Sequence, residues 1–295
     1  MALINNRGLK LKGCYKMLAG ATIEELNSLN EICIPLKSGN GSESRPLVSV
    51  GDLIKRGTII AAPSDSNGSF IYSPCSGAVS QIGTKINATG QQTACITIEP
   101  SHIDTELNFK PIEEKTPTAL FARLVECGSV DTFGTRAPTF RKYVNPNSIG
   151  DKSVIIKLFD SDPFCFSNFM IAKSRANEVA LGAECFYRVA RAKNIVFVCD
   201  AKFGGLLNIF KAEMAKTQVP AENVKYASVD NIYPFDEDHL LVFKLSGKTI
   251  SVERNVGDNG YLIENAQSCL NFYNAVYLNR PTTSTVYTIS GDNIA

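Results

Sequence analysis

Residues 45–82, RPLVSVGDLIKRGTIIAAPSDSNGSFIYSPCSGAVSQI, decide the fold of the first third of the chain. Short β-branched runs alternate there with glycine-containing turns, and glycine lets the backbone reverse through positive φ without strain. Strands this short cannot bury a core alone, so the stretch predicts a small closed barrel or sandwich. The apolar residues that we expect to point mostly inwards are Val48, Val50, Ile54, Ile59, Ile71 and Val79.

Composition limits the class of protein. A chain of 295 residues has room for two or three modest domains, and 44% apolar residues is ordinary for a globular protein. The net charge of +1 and the lack of a basic run argue against nucleic acid as a partner. No apolar run reaches the roughly 18 residues of a membrane span, and the first residues lack a signal-peptide pattern. We expect a cytoplasmic protein, or the peripheral part of a membrane assembly.

The cysteines and histidines do not predict a metal site. Nine cysteines are scattered without a C-x-x-C pair, the spacing on which zinc ribbons and iron–sulfur clusters depend. Most stand beside apolar residues, which is typical of small buried hydrophobic side chains. His102 and His239 are far apart in loop-like stretches of the sequence and have no metal-ligand spacing.

The pattern of the chain changes twice, which predicts three domains at residues 1–100, 118–222 and 223–295. The first is β-rich, and residues 101–117 read as a linker. The second alternates predicted strands (153–156, 194–199) with predicted helices (119–127, 169–192, 205–216), the order of a parallel sheet covered by helices. The third has an α+β pattern, with predicted strands at 240–243 and 284–289 and a predicted helix at 265–278.

The turn pattern of the first domain resembles a known fold. V-G-D-hydrophobic-x-x-G followed by S-P-x-S-G-x-V is similar to the barrel-sandwich hybrid of biotinyl and lipoyl carriers. A working carrier needs a lysine at the tip of its exposed hairpin, and residues 62–69 contain none. The domain therefore resembles a carrier barrel that has no group to carry.

Three consecutive resemblances point to one family. The opening is similar to the C subunit of the Rnf electron-transport complex and to the A subunit of the sodium-pumping NADH:quinone reductase (Nqr); it contains Arg7-Gly8-Leu9-Lys10, Cys14-Tyr15-Lys16 and Ile34-Pro35-Leu36. The middle resembles the flavin-binding domain of those proteins and of the complex I flavoprotein subunit. The tail looks like the β-grasp, soluble-ligand-binding domain of Rnf C subunits, through Tyr233-Pro234, Leu245-Ser246-Gly247-Lys248, Val256-Gly257, Asn265-Ala266, Arg280-Pro281 and Tyr287-Thr288-Ile289-Ser290-Gly291-Asp292.

The resemblance implies a fold class and a setting. The fold is α/β plus β, with a barrel-sandwich hybrid, a central α/β domain and a C-terminal β-grasp domain. The implied partners are the other subunits of a membrane redox complex, at the inner face of the cell membrane, without a direct membrane span. In the Rnf family a ferredoxin-like segment rich in C-x-x-C-x-x-C follows, and the chain stops at residue 295, before that segment would begin. We expect either a fragment or a shortened relative.

The flavin loop departs from the family pattern G-x-V-G-x-G-G-A-G-F-P-T-x-x-K. The equivalent residues 128–142 read GSVDTFGTRAPTFRK, which keeps Gly134, Pro138, Thr139 and Lys142 in place. Glycine is replaced at three positions, by Asp131, Phe133 and Arg136. Side chains there would crowd an FMN phosphate, which such loops approach with backbone N–H groups, and the carboxylate would repel it. The F-x-T-R sequence of residues 133–136 resembles instead the Nqr A subunit, whose corresponding domain carries no flavin.

The second signature departs in the same way. The family motif N-A-A-E-C-E-P-Y is represented by KLFDSDPF at residues 157–164, where Lys157 replaces the asparagine and Asp160 and Asp162 keep the acidity. The aspartates can serve the cofactor, or they can cap the following helix by accepting hydrogen bonds from its free N–H groups. The basic residues Arg136, Arg141 and Lys142 can likewise bind an anion or form a solvated turn.

Two functional hypotheses from different classes follow. In one, the protein is an electron-transfer subunit that binds FMN and NADH; in the other, it is a cofactor-free structural or docking subunit. A β-grasp module for another small ligand is a third. The sequence favours a peripheral subunit of an Rnf/Nqr-type complex that couples NADH oxidation to ion translocation, with a degenerate flavin site. No residue is predicted to be catalytic, and FMN and NADH are implied by the resemblance alone. The cofactor-binding positions that it implies are Gly134, Thr135, Arg136, Thr139, Lys142, Asp160 and Asp162.

Overall fold

The computed structural model of the chain divides into two compact units. It describes residues 18, 20–26, 29–37, 41–87, 90–131, 137–144, 152–160, 162, 164–230, 232–234 and 237–290. The barrel unit comprises Glu24–Val144 and Asn271–Thr285. The sheet unit comprises Met1–Ile23, Asn145–Leu270 and Val286–Ala295.

The barrel unit is built on seven short strands in two antiparallel sheets. The strands are β1 (Ile32–Pro35), β2 (Ser44–Pro46), β3 (Leu53–Ile54), β4 (Ile59–Pro63), β5 (Ile71–Tyr72), β6 (Gly77–Ile86) and β7 (Gln92–Pro100). One sheet has the order β1-β7-β6-β3 and the other the order β2-β4-β5. Most of these strands pair with a neighbour close in the chain, as the frequent glycine turns predict.

The barrel core contains some of the predicted inward residues and excludes others. Its buried members are Leu36, Ile54, Ile60, Ala61, Val79, Ile96 and Ile98. Val48 and Ile71 are half-buried against this core, in agreement with the prediction. The prediction is wrong for Val50, which is 61% exposed, and for Ile59, which is 39% exposed. Val50 lies in the turn that Gly51 completes at φ +95°, while in β4 the strand alternation turns Ile60 inwards in place of Ile59.

Two helices follow the barrel strands in this unit, α1 (Pro117–Glu126) and α2 (Arg141–Val144). Thr116 caps α1, because its Oγ1 accepts a hydrogen bond from the Ala119 N–H at 3.2 Å. Pro117 follows at the first helical position, where its missing N–H costs nothing. Helix α1 confirms the helix that the sequence predicts at residues 119–127.

The sheet unit is a four-stranded parallel sheet with helices between its strands. In chain order its elements are β8 (Ser153–Lys157), α3 (Ser167–Ser174), α4 (Ala176–Ala190), β9 (Asn194–Asp200), α5 (Leu206–Met214), β10 (Val224–Val229), α6 (Asp238–Ser246), β11 (Tyr261–Asn265) and α7 (Ala266–Tyr277), of which α7 runs on into residues of the barrel unit. The strand order is β10-β9-β8-β11, and every pair is parallel.

Both faces of this sheet are covered. On one face, Leu241 and Val242 of α6 belong to a buried cluster with strand residues such as Ile155 and Val198. Successive strand residues point to opposite faces, so Phe197 lies on the other face, where its ring is 5.0 Å from that of Phe210 in α5. The central strands β8 and β9 are therefore buried at most positions, as the strands of parallel sheets usually are.

Four sequence predictions for the chain from residue 169 onwards need correction. The helix predicted over 169–192 is broken into α3 and α4 at Arg175, whose φ and ψ of −131° and 37° are not helical. Residues 240–243, predicted as a strand, lie in α6, and so does His239, for which the sequence predicts a loop. Residues 284–289 form no strand.

The predicted C-terminal β-grasp domain is not confirmed. Strand β10 pairs with β9, and β11 pairs with β8, so residues from 223 onwards extend the parallel sheet. The predicted helix at 265–278 is present as α7. In the described part of the chain, no helix combines the length and apolar character needed to cross a membrane. The same residues contain no group of three or more His, Cys, Asp or Glu side chains that could hold a metal ion.

Candidate functional site

Two backbone hydrogen bonds join the two described ends of the first predicted signature. In the barrel unit, the Asp131 N–H donates to the Ala137 carbonyl at 2.8 Å, and the Thr139 N–H donates to the Ser129 carbonyl at 3.0 Å. The hydroxyls of Ser129 and Thr139, both buried, lie 3.2 Å apart within hydrogen-bonding distance. Thr139, predicted at a cofactor phosphate, is therefore fully buried and serves the base of the loop. Gly134, Thr135 and Arg136 lie outside the described residues.

The lysine that is predicted to bind a cofactor phosphate, Lys142, forms an ion pair within the chain. The Lys142 ammonium lies 3.2 Å from the Asp131 carboxylate, and the Asp131 side chain is only 10% exposed. Asp131 stands at one of the positions where the family pattern has glycine. The chain therefore supplies its own carboxylate to the lysine that the resemblance assigns to a phosphate.

Gly128, the first glycine of the loop, is required by packing within the barrel unit. Its φ is +71°, and a Cβ added to it would lie 2.6 Å from the Phe70 carbonyl oxygen and 3.1 Å from the Tyr72 ring. The Tyr72 hydroxyl donates to the Glu126 carbonyl at 2.6 Å, which fixes the chain just before the glycine. Contact with the barrel is enough to explain why glycine stands at this position.

The sheet unit has a topological switch point next to the second predicted signature. The chain runs from β8 to β9 to β10 in one direction, and β11 then adds on the other side of β8. Open α/β sheets bind ligands outside the carboxyl ends of strands at such a point. Lys157 and Asn265, which are register partners, end β8 and β11 there, and both are buried. The Lys157 ammonium lies 3.5 Å from an Asp238 carboxylate oxygen at the start of α6.

Asp160 caps helix α3. Its two carboxylate oxygens accept hydrogen bonds from the Asn168 backbone N–H at 2.9 Å and from the Asn168 side-chain amide at 2.8 Å. The Asn168 amide oxygen in turn accepts from the Gln267 N–H at 3.1 Å. Burial raises the pKa of the Asp160 carboxyl, while the hydrogen bonds from Asn168 act in the opposite direction. These contacts with the first turn of α3 are of the kind that the capping alternative of the sequence analysis predicts.

Asp162 has a local role at the surface. It is exposed, and its carboxylate accepts a hydrogen bond from the Phe164 N–H at 2.8 Å, which stabilises a turn. With Asp160 and Asp200 it borders a cavity of about 10 Å³, the size of a single water molecule, whose other walls are the rings of Phe159, Phe166, Phe169 and Phe203. The cavity has no room for a flavin or a nicotinamide.

The four predicted positions that the structure describes fall into two pairs. Thr139 and Lys142 belong to the barrel unit, while Asp160 and Asp162 border one cavity in the sheet unit. The sequence analysis missed Asn168, Asp200 and Asp238. Asp200 had a detectable signal, because it directly follows the predicted strand 194–199 and the carboxyl ends of parallel strands meet at one edge.

The described side chains of both predicted signatures are engaged by other residues of the chain. The first signature offers Lys142 together with Asp131, whose negative charge opposes a phosphate. The second offers Asp160, whose oxygens are used by α3, and Lys157, which is paired with Asp238. These side chains neutralise one another or stabilise the fold.

Family models match both parts of the chain. The RnfC barrel sandwich hybrid domain matches residues 5–103. The Nuo51 FMN-binding domain matches residues 124–274, just over half of the chain. The first match confirms the predicted barrel-sandwich hybrid, and the second confirms the predicted kinship with the complex I flavoprotein domain.

Curated relatives agree with these matches. The chain is 22% identical over 289 residues to the C subunit of the ion-translocating oxidoreductase complex of Pseudomonas aeruginosa, covering 96% of this chain and 37% of that protein. It is 23% identical over 287 residues to the C subunit of the proton-translocating ferredoxin:NAD(+) oxidoreductase complex of Clostridium ljungdahlii, covering 95% of this chain and 61% of that protein. The chain therefore spans about a third to three fifths of the length of these relatives.

Among solved structures, an NAD+-reducing [NiFe]-hydrogenase in the air-oxidised state is similar at 17% identity and a TM-score of 0.45. The similarity covers 54% of this chain and 30% of that one. The two family matches in tandem and the names of the relatives agree with the resemblances read from the sequence. The chain belongs to the Nuo51 FMN-binding family, and the part that precedes this domain matches the RnfC barrel sandwich hybrid domain.

Proposed function

We propose that this protein is a peripheral subunit of an Rnf/Nqr-type electron-transport complex and that its flavin site is degenerate. Its role is then to dock other subunits, and FMN and NADH are bound elsewhere or not at all. The observation that carries the proposal is the ion pair between Lys142 and Asp131 in the loop that would hold the FMN phosphate.

The charges in this loop oppose phosphate binding. A phosphate that contacted Lys142 would lie close to Asp131 as well, because the two side chains are 3.2 Å apart. Two unit charges about 4 Å apart interact by roughly 4 kcal/mol at an effective dielectric constant of about 20. The attraction of the lysine and the repulsion of the aspartate are therefore of similar size, and little net attraction for a phosphate remains.

The sheet unit supports the same proposal. The family asparagine at the end of β8 is replaced by Lys157, whose ammonium is paired with Asp238 at the switch point. Asp160 keeps the acidity of the signature but uses both oxygens to cap α3. A residue engaged in this way contributes to stability and is not available to a cofactor without loss of the cap.

The proposed partners follow from the relatives. Those relatives are named as the C subunits of ion-translocating oxidoreductase complexes, which contain further subunits. We infer that this chain binds equivalent subunits and is held by them at the inner face of the cell membrane. The net charge of +1 gives it little electrostatic attraction to anionic lipid, so protein contacts must supply the attachment.

A flavin titration tests the degenerate site. We expect the purified protein to be colourless and to bind FMN no tighter than about 1 mM. Asp131→Gly removes the carboxylate and restores the family glycine, and we expect it to lower the Kd for FMN by roughly tenfold or more, equivalent to at least about 1.4 kcal/mol. The matched control is the double variant Asp131→Gly/Lys142→Ala, which should lose this gain. A yellow wild-type protein with stoichiometric flavin would overturn the proposal.

Membrane fractionation tests the docking role. We expect the protein to sediment with membranes when the membrane subunits of the complex are co-expressed, and to stay in the supernatant of cells that lack them. Equal sedimentation in both strains would exclude docking through those subunits. A protein that stays in the supernatant in both strains would point to an independent role.

A further inference from the structure

Two cysteines lie next to each other on the outer edge of the barrel unit. The register of β1 and β7 places Cys33 opposite Thr97 and Pro35 opposite Cys95. Directly opposed residues of an antiparallel pair share a face, and so do residues two apart in one strand. Cys33 and Cys95 are therefore diagonal neighbours on one face of the strand pair. Both are free thiols.

We propose that Cys33 and Cys95 form a reversible dithiol–disulfide site. The two thiols differ in access: Cys33 is exposed, whereas Cys95 is 1% exposed. The exposed sulfur can be reached by an oxidant from solution, and the buried sulfur can be reached only by its neighbour. This assigns Cys33 as the attacking thiol and Cys95 as the resolving thiol.

Closing a disulfide between the two sulfurs needs a small movement of the backbone. A disulfide needs Cα atoms within roughly 7 Å of each other. Diagonal cross-strand neighbours are usually about 7–8 Å apart, with their Cβ atoms closer. Strand β1 is the edge strand of its sheet and has only four residues, so it can make the small remaining approach. On the other side of β7, the residue opposite Cys95 is Gly83, which puts no side chain on that face.

The surroundings tune the thiols without making them indiscriminately reactive. Partial desolvation and the adjacent Cys95 raise the pKa of the Cys33 thiol, and Lys85 and Thr97 act in the opposite direction. Lys85 is itself paired with Glu31. Most of the Cys33 side chains are therefore protonated at neutral pH. Reaction of the small thiolate fraction then needs an excess of oxidant or a long incubation.

A small disulfide such as oxidised glutathione can supply the oxidising equivalents. The Cys33 thiolate attacks one glutathione sulfur, forms a mixed disulfide and releases a glutathione thiolate. The Cys95 thiol then loses its proton and attacks the Cys33 sulfur, which releases the second glutathione. Two protein thiols are oxidised, one glutathione disulfide is reduced to two thiols, and β1 becomes covalently linked to β7.

Peptide mapping after incubation with oxidised glutathione tests the proposal. In the wild type we expect two of the nine cysteines to become resistant to alkylation in denaturant, in a linked peptide pair that contains Cys33 and Cys95. Reduction with dithiothreitol should restore both. Mapping is by peptide, so a contribution from any other cysteine is recognised directly.

Two variants separate the roles of the sulfurs. Cys95→Ser removes the resolving thiol, so we expect a stable adduct of one glutathione at Cys33. Cys33→Ser should leave Cys95 reduced under the same conditions. The matched control is Cys75→Ser, which removes a half-exposed barrel cysteine and should leave the Cys33–Cys95 link unchanged.

Three results would overturn the proposal. If the wild type accumulates the Cys33 adduct without closing the disulfide, the two sulfurs do not form a pair. A linked peptide that joins Cys33 to another cysteine, or a Cys33 that stays reduced, contradicts it equally. Should Cys95→Ser fail to fold, the wild-type map and the Cys33→Ser variant still decide the question.

Discussion

The barrel unit and the sheet unit bury their strands in different ways. In the barrel unit, strands such as β1 and β4 mix exposed and covered positions, so the pleat decides whether a residue belongs to the core. In the sheet unit, β8 and β11 are buried at every position after the first, because elements cover both faces. The difference teaches that a substitution in the barrel is sensitive to which way its residue points, whereas a substitution in β8 or β11 is sensitive at almost every position.

The largest expected effect separates two valines of the barrel unit. Val79 is 1% exposed in the core, so Val79→Asp buries a charge without a partner and should lower the free energy of unfolding by about 4 kcal/mol or more. Val50 is 61% exposed, so Val50→Asp should change it by about 0.5 kcal/mol or less. Urea unfolding followed by circular dichroism measures both. Similar losses in the two variants would contradict the assignment of faces.

The next effect is expected at a helix contact within the sheet unit. A Cβ added to Gly182 in α4 would lie 1.9 Å from the Cys269 carbonyl oxygen of α7, and backbone must move to relieve the clash. Gly182→Ala should therefore lower the free energy of unfolding by about 3 kcal/mol, although alanine has the higher helix propensity. Hydrogen exchange should rise in peptides of α4 and the start of α7.

Gly205→Ala is the matched control, because a Cβ at Gly205 meets no atom within 4 Å and its φ is an ordinary −59°. It should leave stability and exchange close to those of the wild type, within about 0.5 kcal/mol. Equal behaviour of the two alanine variants would mean that α4 and α7 do not approach as closely as described.

The two units also differ in how much of their fold the sequence predicts. Barrel strands such as β6 and β7 pair across a short turn, so glycine and hydrophobic alternation are enough to predict them. In the sheet unit, β8 pairs with β11 more than a hundred residues away. The sequence pattern predicts strands at the positions of β8 and β9 but none at those of β10 and β11. Without these two strands, nothing in the pattern joins residues 223–295 to the parallel sheet, and the β-grasp prediction there rests on the family resemblance.

One strand prediction in the sheet unit was wrong because the sequence pattern did not distinguish a short strand from a helix. The run Leu240-Leu241-Val242-Phe243 fits a buried strand, but Glu237 caps a helix there by accepting from the His239 and Leu240 N–H groups. An apolar run of four residues cannot distinguish the two structures by periodicity. The capping residue three positions earlier was the available signal.

The sequence predicted which residue types stand at the candidate site but not which of them contact one another. The replacement of glycine by Asp131 was visible in the sequence, but its pairing with Lys142 was not, because eleven positions separate them. The capping alternative for Asp160 could be stated but not chosen. The capping role depends on the two hydrogen bonds that Asn168 of α3 donates to Asp160, and only the fold brings α3 next to the end of β8.

The smallest expected effect is a pH dependence that belongs to the sheet unit. The ring of His239 lies 2.8 Å from a Glu237 carboxylate oxygen and 2.9 Å from the Arg254 carbonyl oxygen. The hydrogen bond to Glu237, then that to Arg254, raises the pKa of His239 above 6.5. The folded state thus binds a proton more tightly than the unfolded state does. This stabilisation is fully present below pH 6.5 and is lost as pH rises through the raised pKa.

His239→Gln should remove that pH dependence. Glu237 is half-exposed and the pair is screened by solvent, so we expect the wild type to exceed the variant by a few tenths of a kcal/mol, at most about 1 kcal/mol, near pH 6. The difference should shrink towards zero as pH rises through the raised pKa of His239. Urea unfolding at several pH values measures it, and hydrogen exchange should place the change in α6 peptides and leave the barrel peptides unaffected. A difference that grows with pH would reverse the sign of the linkage and would show that the folded state favours neutral His239.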